Sequence, residues 1–250
     1  MTKQFGTAGL GARKMAKDRY IKVAGYAGIL LAIPIFLFLK PRIFPSSGGL
    51  AGLIGLAATA GVALFLMKSI DKKATHVIKR AKDADRGALA EEKVALQLDQ
   101  LPEGYFGFHD VDFKGFNIDH VVLGPAGIFV VETKSHRGTV DANGHTLLLN
   151  GKPPQKNFLN QVWSQTKNMQ EYLWKMTSKE WKIKPILCFT NAYVKVRRPV
   201  KGVEVVSLKY LNTFLKRQPS SLEAADVEHI LRVLKFRLGK QENLRPLPVE

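Results

Sequence analysis

The period of the hydrophobic positions changes several times along the chain, and each change marks an element. Residues 23–39 and 48–67 are uncharged runs of seventeen and twenty residues, separated by Lys40, Arg42 and two prolines. As helices at about 1.5 Å per residue they extend roughly 26 and 30 Å, near the thickness of a bilayer's hydrocarbon core. The pattern predicts a two-helix transmembrane hairpin over residues 23–67, with Pro34 as a kink. Small residues at helical spacing, Gly48/Gly52, Ala51/Gly55 and Ala57/Gly61, offer faces on which such helices pack or form a homo-oligomer. A charged helix follows at 71–82. Ala90, Val94, Leu98 and Leu101 then predict a helix over 86–101 that ends at Pro102.

Beyond residue 104 the period shortens to that of strands. Residues 105–111, 118–123 and 128–131 are short, β-branched runs, and 138–149 reads as two strands around Asn143-Gly144. Residues 158–176 return to helical spacing, with Leu159, Val162, Gln165, Thr166 and Met169 along one side. Continuous apolar runs at 184–189 and 203–208 predict buried strands. Helices at 209–216 and 222–238 close the chain, the second with Ser220 or Ser221 as its cap. This order predicts a mixed α/β domain over a central sheet.

The stretch from Ile118 to Lys134 concentrates the chemistry. A Gly-Pro-Ala-Gly turn at 124–127 joins two apolar runs into a β-hairpin. A symmetric turn sets Asp119 opposite Glu132, with Cβ atoms roughly 5 Å apart. Lys134 then shares the face of Glu132 while Thr133 points away. Facing carboxylates repel unless a cation sits between them, and either a hard-oxygen-liganded divalent metal or Lys134 alone meets that demand. A bulge in the turn would slip the register by one and send Asp119 to the other face. The plain alternative is a half-buried hairpin ending in a Glu132–Lys134 ion pair.

Charge sharpens the division of the chain. The formal net charge is +17; residues 1–85 hold 14 Lys/Arg and 4 Asp/Glu, and the remainder holds 24 and 17. Six positive residues flank each outer end of the expected hairpin and two lie in its turn. The positive-inside rule therefore predicts a multi-pass protein of the cytoplasmic membrane with both termini in the cytoplasm. The expected order is a basic leader at 1–22, mobile or on anionic lipid, the hairpin at 23–67, a charged linker helix at 68–85, a domain at 86–216, and a C-terminal helix and tail at 217–250. The positive excess of the domain fits a phosphate-rich partner. The single Cys188 allows no internal disulfide and reads as a buried thiol, since no charge adjoins it in sequence.

Four segments in order resemble one family. They are Gly87-Ala-Leu-Ala-Glu91-Glu-Lys-Val94, Ile118-Asp119-His120-Val121-Val122, Gly127-Ile-Phe-Val-Val-Glu132-Thr-Lys134 and Asn157-Phe-Leu-Asn-Gln161. Together they resemble the NERD (nuclease-related) domain, a branch of the PD-(D/E)xK nuclease superfamily, with Phe158 replacing the proline usual there. The resemblance implies a restriction-endonuclease-like fold, a central mixed β-sheet flanked by helices. It implies a Mg²⁺ site, Mn²⁺ being the alternative, with Asp119 and Glu132 as ligands and Glu91 a ligand directly or through water. Lys134 is implied as the partner of the attacking water and Gln161 as a neighbour of the site. Glu92 falls about 100° round the helix and reads as a surface acid. His120 points away from Asp119 and reads as packed. The reading is a membrane-anchored, cytoplasm-facing, metal-dependent nuclease acting on nucleic acid, DNA ahead of RNA. The alternative is a non-catalytic nucleic-acid-binding, scaffolding or sensor module.

Overall fold

The computed structural model describes residues 2–43, 50–113 and 116–243, leaving aside within its helices the side chains of 34, 36–43, 50–56, 58 and 241–243. The chain divides into two compact units, Met1–Gly11 with Arg86–Glu250, and Ala12–Asp85. The elements are β1 (Lys3–Phe5), α1 (Leu10–Ile43), α2 (Leu50–Leu98), β2 (Phe106–Phe113), β3 (Phe116–Gly124), β4 (Gly127–Asn143), β5 (Thr146–Leu149), α3 (Phe158–Thr177), β6 (Ile183–Val194), β7 (Glu204–Ser207), α4 (Leu208–Arg217) and α5 (Ala224–Asn243).

The unit Ala12–Asp85 consists of parts of α1 and α2. Tyr20 donates its hydroxyl to Asp85 Oδ2 (2.9 Å), and Arg19 donates to the Arg80 carbonyl (2.6 Å). Leu31, Ile35, Val62, Leu64 and Phe65 are exposed. The expectation of a membrane-spanning hairpin is corrected here: among the described residues no helix is long and apolar enough to cross a membrane. The expected turn at 40–47 lies mostly outside the described residues.

The other unit is a mixed α/β layer with helices on both faces of one sheet. Its strands run β1-β2-β3-β4-β6-β7, with β5 paired to β4 off this path. The β2, β3 and β4 strands pair antiparallel, whereas β4-β6, β6-β7 and β1-β2 are parallel. Because side chains alternate along a strand, each central strand feeds two cores. Val121, Leu123, Ile128 and Val130 pack with Leu159, Val162, Met169 and Leu173 of α3 and with Ile230 and Leu234 of α5. Val122, Phe129, Val131, Ile186 and Cys188 pack with Val94 and Leu98 of α2 and Leu211 and Leu215 of α4. Burial on both faces is why these strands read as unbroken apolar runs. It also pushes the Cys188 thiol up to about 12, so the thiol is inert.

Two local expectations change. Ser220 and Ser221 do not cap α5; they bind the β3–β4 turn, Ser221 donating its N–H to the Pro125 carbonyl (2.8 Å) and its hydroxyl to the Ala126 carbonyl (3.0 Å). The basic leader supplies β1, in parallel register Lys3–Phe106, Gln4–Gly107 and Phe5–Phe108. Its anchors are the Phe5 ring stacked on Phe108 (5.1 Å) and the buried Thr2 hydroxyl donating to the Leu101 carbonyl (2.8 Å). Phe5 is partly buried, so Phe5→Ala removes less than a full core aromatic and is expected to cost about 1–3 kcal/mol. Urea unfolding of the full chain measures it, and an unchanged midpoint would mean that β1 contributes no stability.

Candidate active site

Register alone brings three acids to adjacent strands. His109 faces His120 and Val111 faces Ile118, so Asp110 and Asp119 share the intervening position between β2 and β3. Five β3–β4 pairs run from Gly124–Gly127 to His120–Val131, as a symmetric turn requires, and the next step of that register is Asp119–Glu132. The ladder stops short of this step. Asp119 Oδ2 accepts the Thr133 N–H (2.8 Å), so the carboxylate occupies a backbone group of β4. Asp110 sits at φ 52°, a left-handed conformation uncommon for any residue but glycine, and such strain concentrates at functional sites.

Glu132 follows Ile128 and Val130 onto the face covered by α3 and is 2% exposed. A lone buried carboxylate costs several kcal/mol, and here three donors offset that cost. Oε1 accepts from Lys134 Nζ and from Gln161 Nε2 (2.6 Å), and Oε2 accepts from Gln165 Nε2 (2.7 Å). Lys134 Nζ also donates to Gln161 Oε1 (3.1 Å) and lies 4.8 Å from the centre of the Phe158 ring. Asn157 caps α3 by accepting the Asn160 N–H (3.1 Å). Gln161 is therefore not needed as a cap, and its amide joins Glu132 to Lys134.

Glu91 reaches the same acids from α2, one turn before Val94. Its Oε2 accepts the Gly9 N–H (3.1 Å). Gly9 lies at φ +75°, and a Cβ there would meet the Ala88 carbonyl oxygen at 2.8 Å, so only glycine brings its N–H so close. Burial, then the charges of Asp110 and Glu132, push the Glu91 carboxyl up to about 7 against the pull of the Gly9 N–H and Lys134. Burial, then Glu132 and Glu91, hold Asp119 well above the usual carboxylate range, against the Thr133 N–H and Lys134. Two buried acids whose proton affinity is raised by burial and by neighbouring carboxylates mark a site short of positive charge.

Hard carboxylate oxygens are the donors that a divalent cation of the magnesium type takes. Asp119 Oδ1 and Glu91 Oε1 stand outside the bonds just given, so the donor chemistry fits. The arrangement is not closed, however: among the described residues no three His, Cys, Asp or Glu side chains converge as ligands would. Water would complete any shell built here.

Residues 86–190 match the family model for the nuclease-related domain, NERD. This stretch is a NERD domain. No curated protein and no solved structure matches the chain. The match starts within α2, five residues before Glu91, and ends within β6, so it contains all five residues singled out from the sequence.

Other residues of the NERD domain were not legible as site residues. Gln165 lies one turn beyond Gln161, and the signal was an amide in an otherwise apolar helical stripe. Asp110 accepts from Gly11 N (3.2 Å) and Asn117 Nδ2 (2.6 Å); no local pattern announces it. His120 is buried as expected, but in a chain of ring contacts. His109 and His120 meet Nδ1 to Nδ1 (2.8 Å), His109 Nε2 meets Gln4 Oε1 (2.5 Å), and His120 Nε2 meets Thr133 Oγ1 (3.2 Å). With the Gln4 oxygen as acceptor, each His donates toward β1 and His120 Nε2 accepts the Thr133 hydroxyl proton. Burial lowers both rings, His109 to about 4 and His120 well below its usual value, so the chain stays neutral. It fixes Thr133, whose N–H holds Asp119.

The Glu91 carboxyl gives a pH signature. The ordinary value is 4.5 and the folded value about 7, so between these limits the folded protein keeps a proton that the unfolded chain releases. Stability then falls as pH rises through that window and levels off above it. In EDTA, Glu91→Gln is expected to flatten part of this slope and to stabilise the protein above pH 7 by on the order of 1–3 kcal/mol. Asp119 contributes with the same sign and keeps the remainder. Urea unfolding across the window reads both effects.

Proposed function

We propose that this NERD domain is a metal-dependent nuclease of the PD-(D/E)xK type on a restriction-endonuclease-like sheet, hydrolysing phosphodiester bonds of nucleic acid, DNA ahead of RNA. The observation that carries the reading is a set of neighbouring carboxylates, Glu132 raising the proton affinity of Glu91 and Asp119 and Glu91 that of Asp119, beside a lysine bonded to Glu132 and Gln161. Asp119 and Glu132, with Glu91 directly or through water, would hold Mg²⁺ or Mn²⁺. Such an ion supplies charge neutralisation on the phosphate and lowers the pKa of bound water. Lys134, fixed over Phe158, offers N–H groups to an attacking water or a phosphate oxygen. Gln161 orients that ammonium, and Gln165 holds the far oxygen of Glu132.

A second reading has its own support. Glu132 accepts from Lys134, Gln161 and Gln165, and a carboxylate satisfied by protein donors is what a non-catalytic binding or scaffolding module needs. Two measurements separate the readings: thermal unfolding with and without Mg²⁺, and cleavage of plasmid DNA. For the nuclease, Mg²⁺ raises the Tm of the wild type and of Lys134→Met but not of Asp119→Asn or Glu132→Gln, and each variant loses cleavage by about a hundredfold or more. For the scaffold, Mg²⁺ shifts no Tm and the wild type leaves DNA intact.

A further inference from the structure

Past the E-x-K triplet, β4 does not end. A register shift lies between Lys134 and Arg137, after which β4 runs on to Asn143, pairing with β5 on one side and with Asn191–Val194 of β6 on the other. A bulge turns a strand as it leaves a site and re-aims the side chains beyond it. The result is a three-stranded arm rooted three residues beyond Lys134.

The arm has a core face and an outer face. Val140 and Leu147 are buried, with Ala142, Ala192 and Val194 packed beside them. The pairs Arg137–Asn191 and Thr139–Tyr193 set those four residues on the opposite face, where Tyr193 is 70% exposed. The chain then passes through exposed Lys195, Arg197, Arg198 and Lys201, and the loop after β5 adds exposed Lys152 and Lys156.

Charge is concentrated here. Residues 135–156 and 190–201 hold seven Lys/Arg and one acid, Asp141. The whole of 86–250 holds 24 and 17, so removing the arm's share leaves 17 against 16. Nearly all the positive excess of these residues lies on the arm. None of its seven basic side chains forms a salt bridge among the described residues.

The arm is also held in shape. Asn150 exchanges N–H···O bonds with Thr139 (both 2.8 Å), and Lys195 N–H donates to the Val140 carbonyl (2.8 Å). Gly138, at φ +99°, leaves room where a Cβ would lie 1.9 Å from Asn150 Oδ1. Trp163 Nε1 donates to the Lys201 carbonyl (2.7 Å), tying the basic loop to α3, the helix that carries Gln161 and Gln165.

We propose that this arm is the grip for a nucleic-acid backbone that feeds the carboxylate site, a proposal that rests on the nuclease reading for the identity of the polyanion. Exposed cations of Arg137 and of the loops that leave the arm, none of them in a salt bridge among the described residues, neutralise successive phosphates, and Tyr193 presents a ring on which a base or sugar stacks. Arg137 is about 10 Å along the strand from Lys134, the rise of about three nucleotides of one strand.

Binding of a labelled random-sequence DNA duplex to the full chain, by fluorescence anisotropy in EDTA over a series of KCl concentrations, tests this. Arg137→Gln/Lys195→Gln/Arg197→Gln/Arg198→Gln is expected to weaken binding about tenfold or more and to flatten the salt slope by about 0.9 for each phosphate that is no longer neutralised. Arg197→Gln/Arg198→Gln gives a smaller change of the same sign, Arg197→Lys/Arg198→Lys keeps the wild-type slope, and Lys209→Gln/Lys216→Gln on α4 binds as wild type. Wild-type affinity and slope in the quadruple variant, equal weakening in the α4 control, or no binding by the wild type overturns the arm. Cleavage in Mg²⁺ is read in parallel. A wild type that cuts while the quadruple variant binds normally removes the arm and leaves the nuclease. Arm-dependent binding without cleavage keeps the arm and removes the nuclease.

Discussion

A carboxylate at 2% exposure in the middle of a sheet has to be held by something, and the holding of Glu132 organises the rest of the NERD domain. Its three donors come from β4 itself and from two successive turns of α3. That requirement fixes which face of α3 meets the sheet, with Gln161 and Gln165 aligned beside the apolar stripe of Leu159, Val162 and Met169. The ammonium that balances Glu132 is in turn limited in where it can go, between an amide oxygen and an aromatic ring. Charge, packing and helix orientation are therefore one constraint.

The remaining acids are held by backbone. Asp119 takes a strand N–H of β4 and Glu91 takes the N–H of Gly9. Such bonds restrain the carboxylates and partly oppose the burial and neighbouring charges that raise them, and Glu91 and Asp119 remain shifted upward. The N-terminal segment thus belongs to the site as much as to the sheet. Its strand also ends the chain of contacts from Gln4 through His109 and His120 to Thr133. A segment of small size reaches Glu91 and Asp110 through the N–H groups of Gly9 and Gly11, and Asp119 through that chain.

Site and arm are successive parts of one strand with opposite electrostatics. Up to Lys134, β4 is buried and its charge is balanced within the domain; beyond the register shift its outer face is exposed and the loops that adjoin it are basic. In the proposed function, a polyanion drawn to the second part would be delivered to the carboxylates of the first, where its own charge would add to the need for a cation.

The hairpin was readable from the sequence because its information is local. The Gly-Pro-Ala-Gly turn and two β-branched runs set the register, and the register set Asp119 toward Glu132 and turned His120 away. The α3 helix was legible for the same reason, its stripe having a period of 3.6, while the Asn157 cap came from the structure. The mixed sheet followed from the order of the elements. What came only from the tertiary structure depends on residues far apart in sequence. Gln4 meets His109 and Gly9 meets Glu91 across about a hundred residues, and nothing in a basic, glycine-containing leader states that it will add a parallel strand at a sheet edge. Asp110 joined the acids through the β2–β3 register and an unusual backbone angle. The uncharged runs near the N-terminus matched a membrane pattern in composition, yet within the described residues no helix is long and apolar enough to cross. The physical reason is common to these cases: periodicity reports which face of an element is apolar, while the partner of that face, and of each buried polar group, is chosen by three-dimensional packing.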